Sequence, residues 1–152
     1  MIGKLTSEEI EEVLRQNVLG RIGCNDGKRT YVVPVNYVYD GKCIIAHSCE
    51  GMKIKMMRRN SDVCFEVDEI KNASSWKSVI AWGEYQELTE ERSRYQAMKL
   101  FVQRMLHLKI TKSDTISHST ENTGNITFHS SNHRSVIYRI VLTEKTGRFE
   151  NQ

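Results

Sequence analysis

The segment from His47 to Asn60, HSCEGMKIKMMRRN, concentrates residue types that can hold an anion. A phosphate is bound by backbone N–H donors, a hydroxyl and a cation close to the N-terminus of a helix. Ser48, Gly51 and Lys53 offer all three where a strand-like run gives way to a helical pattern. At about 4 Å and an effective dielectric near 20, the gross attraction between a lysine and one unit of phosphate charge is roughly 4 kcal/mol, before desolvation reduces it. Lys53, Lys55, Arg58 and Arg59 also fit a solvated helix face, and the residues alone leave both readings open.

Other constellations carry less. His47 could act as a general acid or base, although its place in a turn suited to phosphate favours a hydrogen-bonding role. Ser48 lacks the G-x-S-x-G setting of a nucleophile. His129 and His133 have the i, i+4 spacing of a helical metal pair, but Ser, Thr and Asn surround them and disfavour a helix. No metal site is expected. The four cysteines, Cys24, Cys43, Cys49 and Cys64, form no C-x-x-C pair and read as reduced thiols.

The elements that must position these residues belong to a chain of 152 residues, the length of one domain. A net charge of +3, from 22 basic and 19 acidic residues, is too mild for a nucleic-acid partner. No apolar run approaches the roughly 20 residues of a membrane span. The opening MIGKLTSEEIEEVL has no apolar signal core, so a cytoplasmic location is expected.

Thr6 and Glu9 form a capping box that starts a helix running to Asn17, with Ile10, Val13 and Leu14 as its apolar stripe. Asp26-Gly27 and Asp40-Gly41 separate three β-type runs and predict a three-stranded meander, with φ > 0 at both turn residues. Pro34, the single proline, lies inside the middle run and implies an edge, a bulge or a backbone facing a ligand. A helix follows over Gly51–Asn60, then two strands around the loop KNASS. A longer helix begins near Thr89, and its stripe of Tyr95, Met98, Val102 and Met105, with Phe101 and Leu106 beside it, reads as core or subunit contact. Residues 111–135 are rich in Ser, Thr, Asn and His and read as a mobile loop, a lid being one use for it. The chain closes on a further strand. The order predicts an α+β fold, a small antiparallel barrel with short helices inserted.

The run GRIGCNDGKRTYVVPVNYVYDGKCIIAHSCEGMKIKMMRRNSDVCFEVDEI, followed by SVIAWGEYQEL, resembles the pyridoxamine 5′-phosphate oxidase-like FMN-binding split barrels. It looks closest to the branch of small flavin-nucleotide-binding proteins that includes nitroimidazole-resistance proteins. The resemblance covers roughly Leu19 to Leu88, and YRIVLTEKTGR is similar to the family's last strand. It rests on V-P-V-N-Y, then H-S-x-x-G-x-K, then N-x-x-V-C-F-E-V-D taken together.

The resemblance implies a six- or seven-stranded antiparallel split β-barrel with short flanking helices, one domain over residues 1–152. It implies a homodimer with FMN in the interface between two barrels. Val33, Pro34, Val35, Asn36 and Tyr37 would run their backbone along the flavin ring. His47 and Ser48 would approach the phosphate and ribityl chain, Gly51 and Lys53 the phosphate. Ser78 and Val79 would reach the flavin across the interface. Lys55, Arg58 and Arg59 would fall to the solvated face. Trp76 and Trp82 are assigned to packing, though either could border the flavin. The implied activity is oxidoreduction between small-molecule electron donors and acceptors, for which no side-chain acid or base is required, so no catalytic residue is named. A flavin- or haem-binding module without turnover is the alternative, and a deazaflavin is a weaker one. The arginine- and histidine-bearing C-terminal segment of the vitamin-synthesising oxidases has no counterpart in SVIYRIVLTEKTGRFENQ, which argues against that specific activity.

Overall fold

A computed structural model describes residues 1–113 and 135–152, with side chains described outside 109–113. Strands β1 (Ile2–Lys4), β2 (Leu19–Asn25), β3 (Thr30–Asn36), β4 (Val38–Tyr39), β5 (Cys43–Ser48), β6 (Asp62–Asn72), β7 (Ser75–Glu87) and β8 (Val136–Glu150) are joined by helices α1 (Ser7–Gln16), α2 (Met52–Arg59) and α3 (Glu91–Ser113). All pairings are antiparallel, in the order β3-β2-β6-β7-β8-β5-β4, with β1 added beside β8.

Two features differ from the expected pattern. Among the described residues the strands number eight rather than six or seven, because β1 pairs with the end of β8 and the Thr30–Tyr39 run is divided. The meander is not formed, since β3 pairs with β2 while β4 pairs with β5 at the opposite edge of the sheet. The chain crosses between those edges at Tyr37, and this closes the sheet into a split barrel. The Tyr37 side chain turns into the core, and its N–H bonds Val18 O at 2.9 Å.

Local chemistry explains the elements. Thr6 Oγ1 accepts from Glu9 N–H at 3.2 Å, and Glu9 Oε2 accepts from Thr6 N–H at 2.8 Å, completing the capping box. The last four carbonyls of α1 have no partner within the helix, and other groups supply one for each. Asn17 Nδ2 bonds Val13 O at 2.8 Å, Tyr37 Oη bonds Leu14 O at 2.8 Å, and Arg104 bonds Arg15 O and Gln16 O, both at 3.1 Å. At the two Asp-Gly turns the glycines take φ of 95° and 97°. The aspartates act through their carboxylates, which accept the backbone N–H groups of Lys28 and Arg29, and of Lys42 and Cys43.

The barrel core gathers Ile22, Phe65, Val67, Val79, Ala81, Tyr138 and Ile140, with Leu14 from α1 and Ile54 and Met57 from α2. A second cluster joins Cys43, Ile45 and Ile137 of the sheet to Ala97 of α3, with Leu88 at its border. The buried line of α3 runs through Ala97 and Phe101, while Tyr95 and Leu106 are exposed. The expected stripe therefore holds only at Phe101 and at the half-buried Met98, Val102 and Met105. Most of the 111–135 segment, with its three histidines, lies outside the described residues.

Candidate functional site

Strand β5 alternates its side chains between two sides, with period two. Ile44 and Ala46 enter the barrel core, whereas Cys43 and Ile45 join the cluster under α3. Ser48 continues the first row. His47 continues the second and packs edge-on against Phe101, ring centroids 4.7 Å apart at 82°. The two predicted neighbours thus serve different surroundings.

Ser48 meets Lys53: Nζ donates to Oγ at 2.7 Å, and Oγ donates to Cys49 O at 2.8 Å. Burial lowers the Lys53 pKa below the ordinary lysine value, opposed by the nearby Cys49 and Cys24 thiols. Among the described residues, no carboxylate takes part in its contacts. The result is a partly desolvated cation with a neutral hydroxyl as its hydrogen-bond partner, a setting that favours an incoming anion.

Gly51 stands directly before α2 with φ −177° and no side-chain cap. That conformation is open to any residue, and a Cβ there would meet only Cys49 O, at 4.0 Å. Neither backbone strain nor packing accounts for glycine at this position. Its bare Cα leaves an open approach to the first N–H groups of α2. The structure brings Ser48 and Lys53 into contact, with Gly51 at the start of α2 beside them.

The other three cations of α2 divide in a way their spacing does not reveal. Arg58 is forked between Glu50 and Glu87, with contacts of 2.5 to 3.2 Å that raise its pKa. Among the described residues, Lys55 and Arg59 have no such partner.

Strand β3 is a sheet edge. Asp26 N–H bonds Arg29 O at one end of the β2–β3 ladder and Tyr37 N–H bonds Val18 O at the other. Antiparallel pairs alternate between bonded and non-bonded, so the Pro34–Arg21 pair is non-bonded. The nitrogen of Pro34 therefore faces the open edge, as does the N–H of Asn36, and proline forfeits no ladder bond there. Val33 is half-buried, Val35 is buried and Tyr37 is wholly enclosed, so the side chains open to a ligand on this stretch are those of Pro34 and Asn36.

Beside that edge lies the outer face of the sheet. Register aligns Val32, Gly23, Cys64 and Trp82 in one row, and Pro34, Arg21, Glu66 and Ile80 in the next. Val32 is 65% exposed and Trp82 39%, an apolar surface of the kind that marks a binding or subunit contact. Arg21 sits within it, paired with Glu66 at 3.2 Å and Asp68 at 3.1 Å. Ser78 donates to Glu66 at 3.1 Å on this same face, while Val79 points into the core. Burial and the Asp68 charge raise the Glu66 pKa, against the lowering influence of Ser78 and Arg21. Ser78 lies toward the opposite end of β7 from the row of Cys24, so one chain does not bring it to Lys53. Nothing in the local sequence flagged the Arg21–Glu66–Asp68 group, because its members come from two strands. Among the described residues, no group of three or more His, Cys, Asp or Glu side chains could hold a metal ion, and no helix is long and apolar enough to cross a membrane.

Burial lowers the His47 pKa below the usual imidazole value of about 6.5. Below that value the unfolded chain binds a proton that the folded chain refuses, so this contribution to stability is present above it and lost as pH falls. His47→Leu is expected to lose less melting temperature than wild type between pH 7 and pH 5. Equal losses in both proteins would show that His47 is not desolvated under Phe101.

A family model for pyridoxamine 5′-phosphate oxidase matches residues 6–149. An uncharacterised protein of Rhizobium meliloti is 34% identical over 84 residues, a match covering 55% of this chain and 56% of that protein's length. Among solved structures, an FAD-binding protein of Mesorhizobium loti superposes with a TM-score of 0.76 at 27% identity, over 100% of this chain and 98% of that one. An FAD-binding protein of Mycobacterium smegmatis shares the fold with a TM-score of 0.66 at 20% identity, over 99% and 100% of the two chains. With its split barrel matched end to end and the family model spanning nearly the whole sequence, the chain belongs to the pyridoxamine 5′-phosphate oxidase family.

Proposed function

We propose that the protein is a flavin-dependent oxidoreductase that holds the FMN unit of its cofactor between the barrels of a cytoplasmic homodimer. The observation that carries this reading is the Lys53–Ser48 contact of 2.7 Å beside the bare Gly51 at the start of α2. That arrangement suits a phosphate. Pro34 and Asn36 on the open edge of β3 would lie along the ring. The exposed apolar face around Val32, Ile80 and Trp82 supports a second barrel as the other wall, with Ser78 contributed across it. The family and the FAD-binding relatives agree with a flavin. When bound, the flavin would carry hydride or electrons from a small-molecule donor to a small-molecule acceptor. The chain's own residues bind and orient it and shield it from water. A nitroimidazole-type reductase fits within this class.

The test is a visible absorption spectrum of protein purified without added cofactor, with chromatography of the ligand released on denaturation and an NADH or NADPH reduction assay. Yellow protein that releases flavin and is reduced by a nicotinamide donor is the expected result. A colourless protein that takes up neither FMN nor FAD would overturn the reading. Bound flavin that no donor reduces would replace the oxidoreductase with a binding module.

A further inference from the structure

Among the described residues four tyrosines are buried, Tyr37, Tyr39, Tyr85 and Tyr138. Two of their hydroxyls donate to protein acceptors, Tyr37 to Leu14 O at 2.8 Å and Tyr39 to Glu11 Oε2 at 2.7 Å. The other two, on Tyr85 and Tyr138, are enclosed and meet no hydrogen-bond partner among the described residues. A buried hydroxyl in that position loses the bonds it makes to water in the unfolded chain, and folded proteins rarely leave one so. Phenylalanine would fill the same space without that loss, as Phe65 does in the same core.

The two hydroxyls belong to neighbouring side chains. In the β7–β8 ladder Tyr85 lies opposite Ile140 and Tyr138 opposite Glu87, so the tyrosines are diagonal neighbours on the inner face of the barrel. Their ring centroids are 5.4 Å apart, with the planes inclined at 43°. The hydroxyls do not bond each other. Two orphaned groups side by side, in a core whose other buried tyrosines are satisfied, point to one shared guest.

The surroundings set the charge of that guest. Burial pushes the Tyr85 phenol up to about 12 and raises that of Tyr138 as well, so both are neutral. The Cys24 thiol, which acts on Tyr138 from β2, is also held neutral by burial. Arg58 acts on Tyr85, but it donates four hydrogen bonds to Glu50 and Glu87, which already answer its charge. The rest of the cluster is apolar, with Ile54 and Met57 of α2 and Phe65 of β6. An ion has no counter-charge there. A small neutral molecule that both donates and accepts has two partners, because a tyrosine hydroxyl can do either. Water fits, since a buried water needs two to four polar partners.

We infer that the Tyr85 and Tyr138 hydroxyls share an internal water, a binding site within the barrel that is separate from the phosphate turn. The assignment does not depend on the flavin reading.

The experiment joins a high-resolution crystal structure of the full chain to urea unfolding of Tyr85→Phe, Tyr138→Phe and the double variant. The crystal is expected to show one water at about 2.5–3.0 Å from both hydroxyl oxygens. Each single variant is expected to raise the unfolding equilibrium constant about tenfold, because it leaves the water and the other hydroxyl short of a partner. The double variant is expected to cost little more than either single one, because the water leaves with both hydroxyls. Independent hydroxyls would instead give additive losses, and true orphans would make each single variant as stable as wild type or more so. Either result would overturn the shared water. So would a crystal in which a protein group meets the hydroxyls or no density lies between them.

Discussion

Lys53→Ala is expected to weaken FMN binding about thirtyfold, the worth of one charge-assisted hydrogen bond of about 2 kcal/mol. The melting temperature should stay within about 2 °C of wild type, because the half-buried Lys53 gives up only its bond to the Ser48 hydroxyl and is relieved of a desolvated charge. The two halves of this expectation have the same cause. Among the described residues, Lys53 donates to the Ser48 hydroxyl and has no carboxylate in contact to oppose its burial. Holding a charge there does not help the fold, so removing it does little harm. A phosphate supplies the missing counter-charge, so its loss falls on binding. Ser48→Ala should cost less, because a neutral hydroxyl is replaced and the cation remains.

The pH dependence follows from the two ionisations. A phosphate monoester gains its second charge near pH 6, so affinity should rise as pH climbs through that value. It should fall again at alkaline pH, sooner than an ordinary lysine pKa of about 10.4 would place it, because burial lowers that of Lys53. Fluorescence titration across pH for wild type and Lys53→Ala measures both limbs. An unchanged dissociation constant in Lys53→Ala would remove this residue from the phosphate, and loss of the alkaline limb in the variant alone would tie that limb to it.

Much of this could be read from the chain because the signals are local. Thr6 and Glu9 announce α1 within four residues, and the Ser48–Gly51–Lys53 triplet spans six. What could not be read depends on distant partners. The run Thr30–Tyr39 is β-prone throughout, and nothing in it marks where β2 is exchanged for β5, because that exchange depends on β8 pairing with β5 from the far end of the chain. The apolar residues of α3 spread around the helix, and it is the cluster of Cys43, Ile45 and Ile137 that selects Ala97, and His47 that meets Phe101. The family resemblance places Arg58 on the solvated face with Lys55 and Arg59. Glu87, which helps to hold it, stands on the long β7 strand, and no spacing rule connects the two. The opposite roles of His47 and Ser48 follow from strand periodicity alone, whereas the family resemblance grouped them as one pair.

Tyr37→Ala should be the most damaging single change at the barrel seam, lowering stability by about 3–5 kcal/mol, as for other large aromatic deletions in a core. At about 2–4 °C per kcal/mol for a chain of this size, that is a fall of roughly 6–20 °C in melting temperature. The ring is wholly buried and meets Phe65 edge-on, centroids 4.8 Å apart at 73°. Its hydroxyl serves the Leu14 carbonyl at the end of α1, and its burial raises the phenol pKa, so the donor proton is retained. Tyr37 therefore joins the seam of the barrel to the helix beside it. Tyr37→Phe keeps the ring and orphans one buried carbonyl, for a loss of about 1–3 kcal/mol. Urea unfolding of the two variants divides the ring's share from the hydroxyl's. Melting of Tyr37→Ala within about 3 °C of wild type would show that the seam does not depend on this side chain. Tyr37→Phe should still bind FMN as wild type does, because the phosphate site is built on β5 and α2 and does not use the hydroxyl. A loss of FMN affinity in that variant would mean that the seam and the site are mechanically coupled.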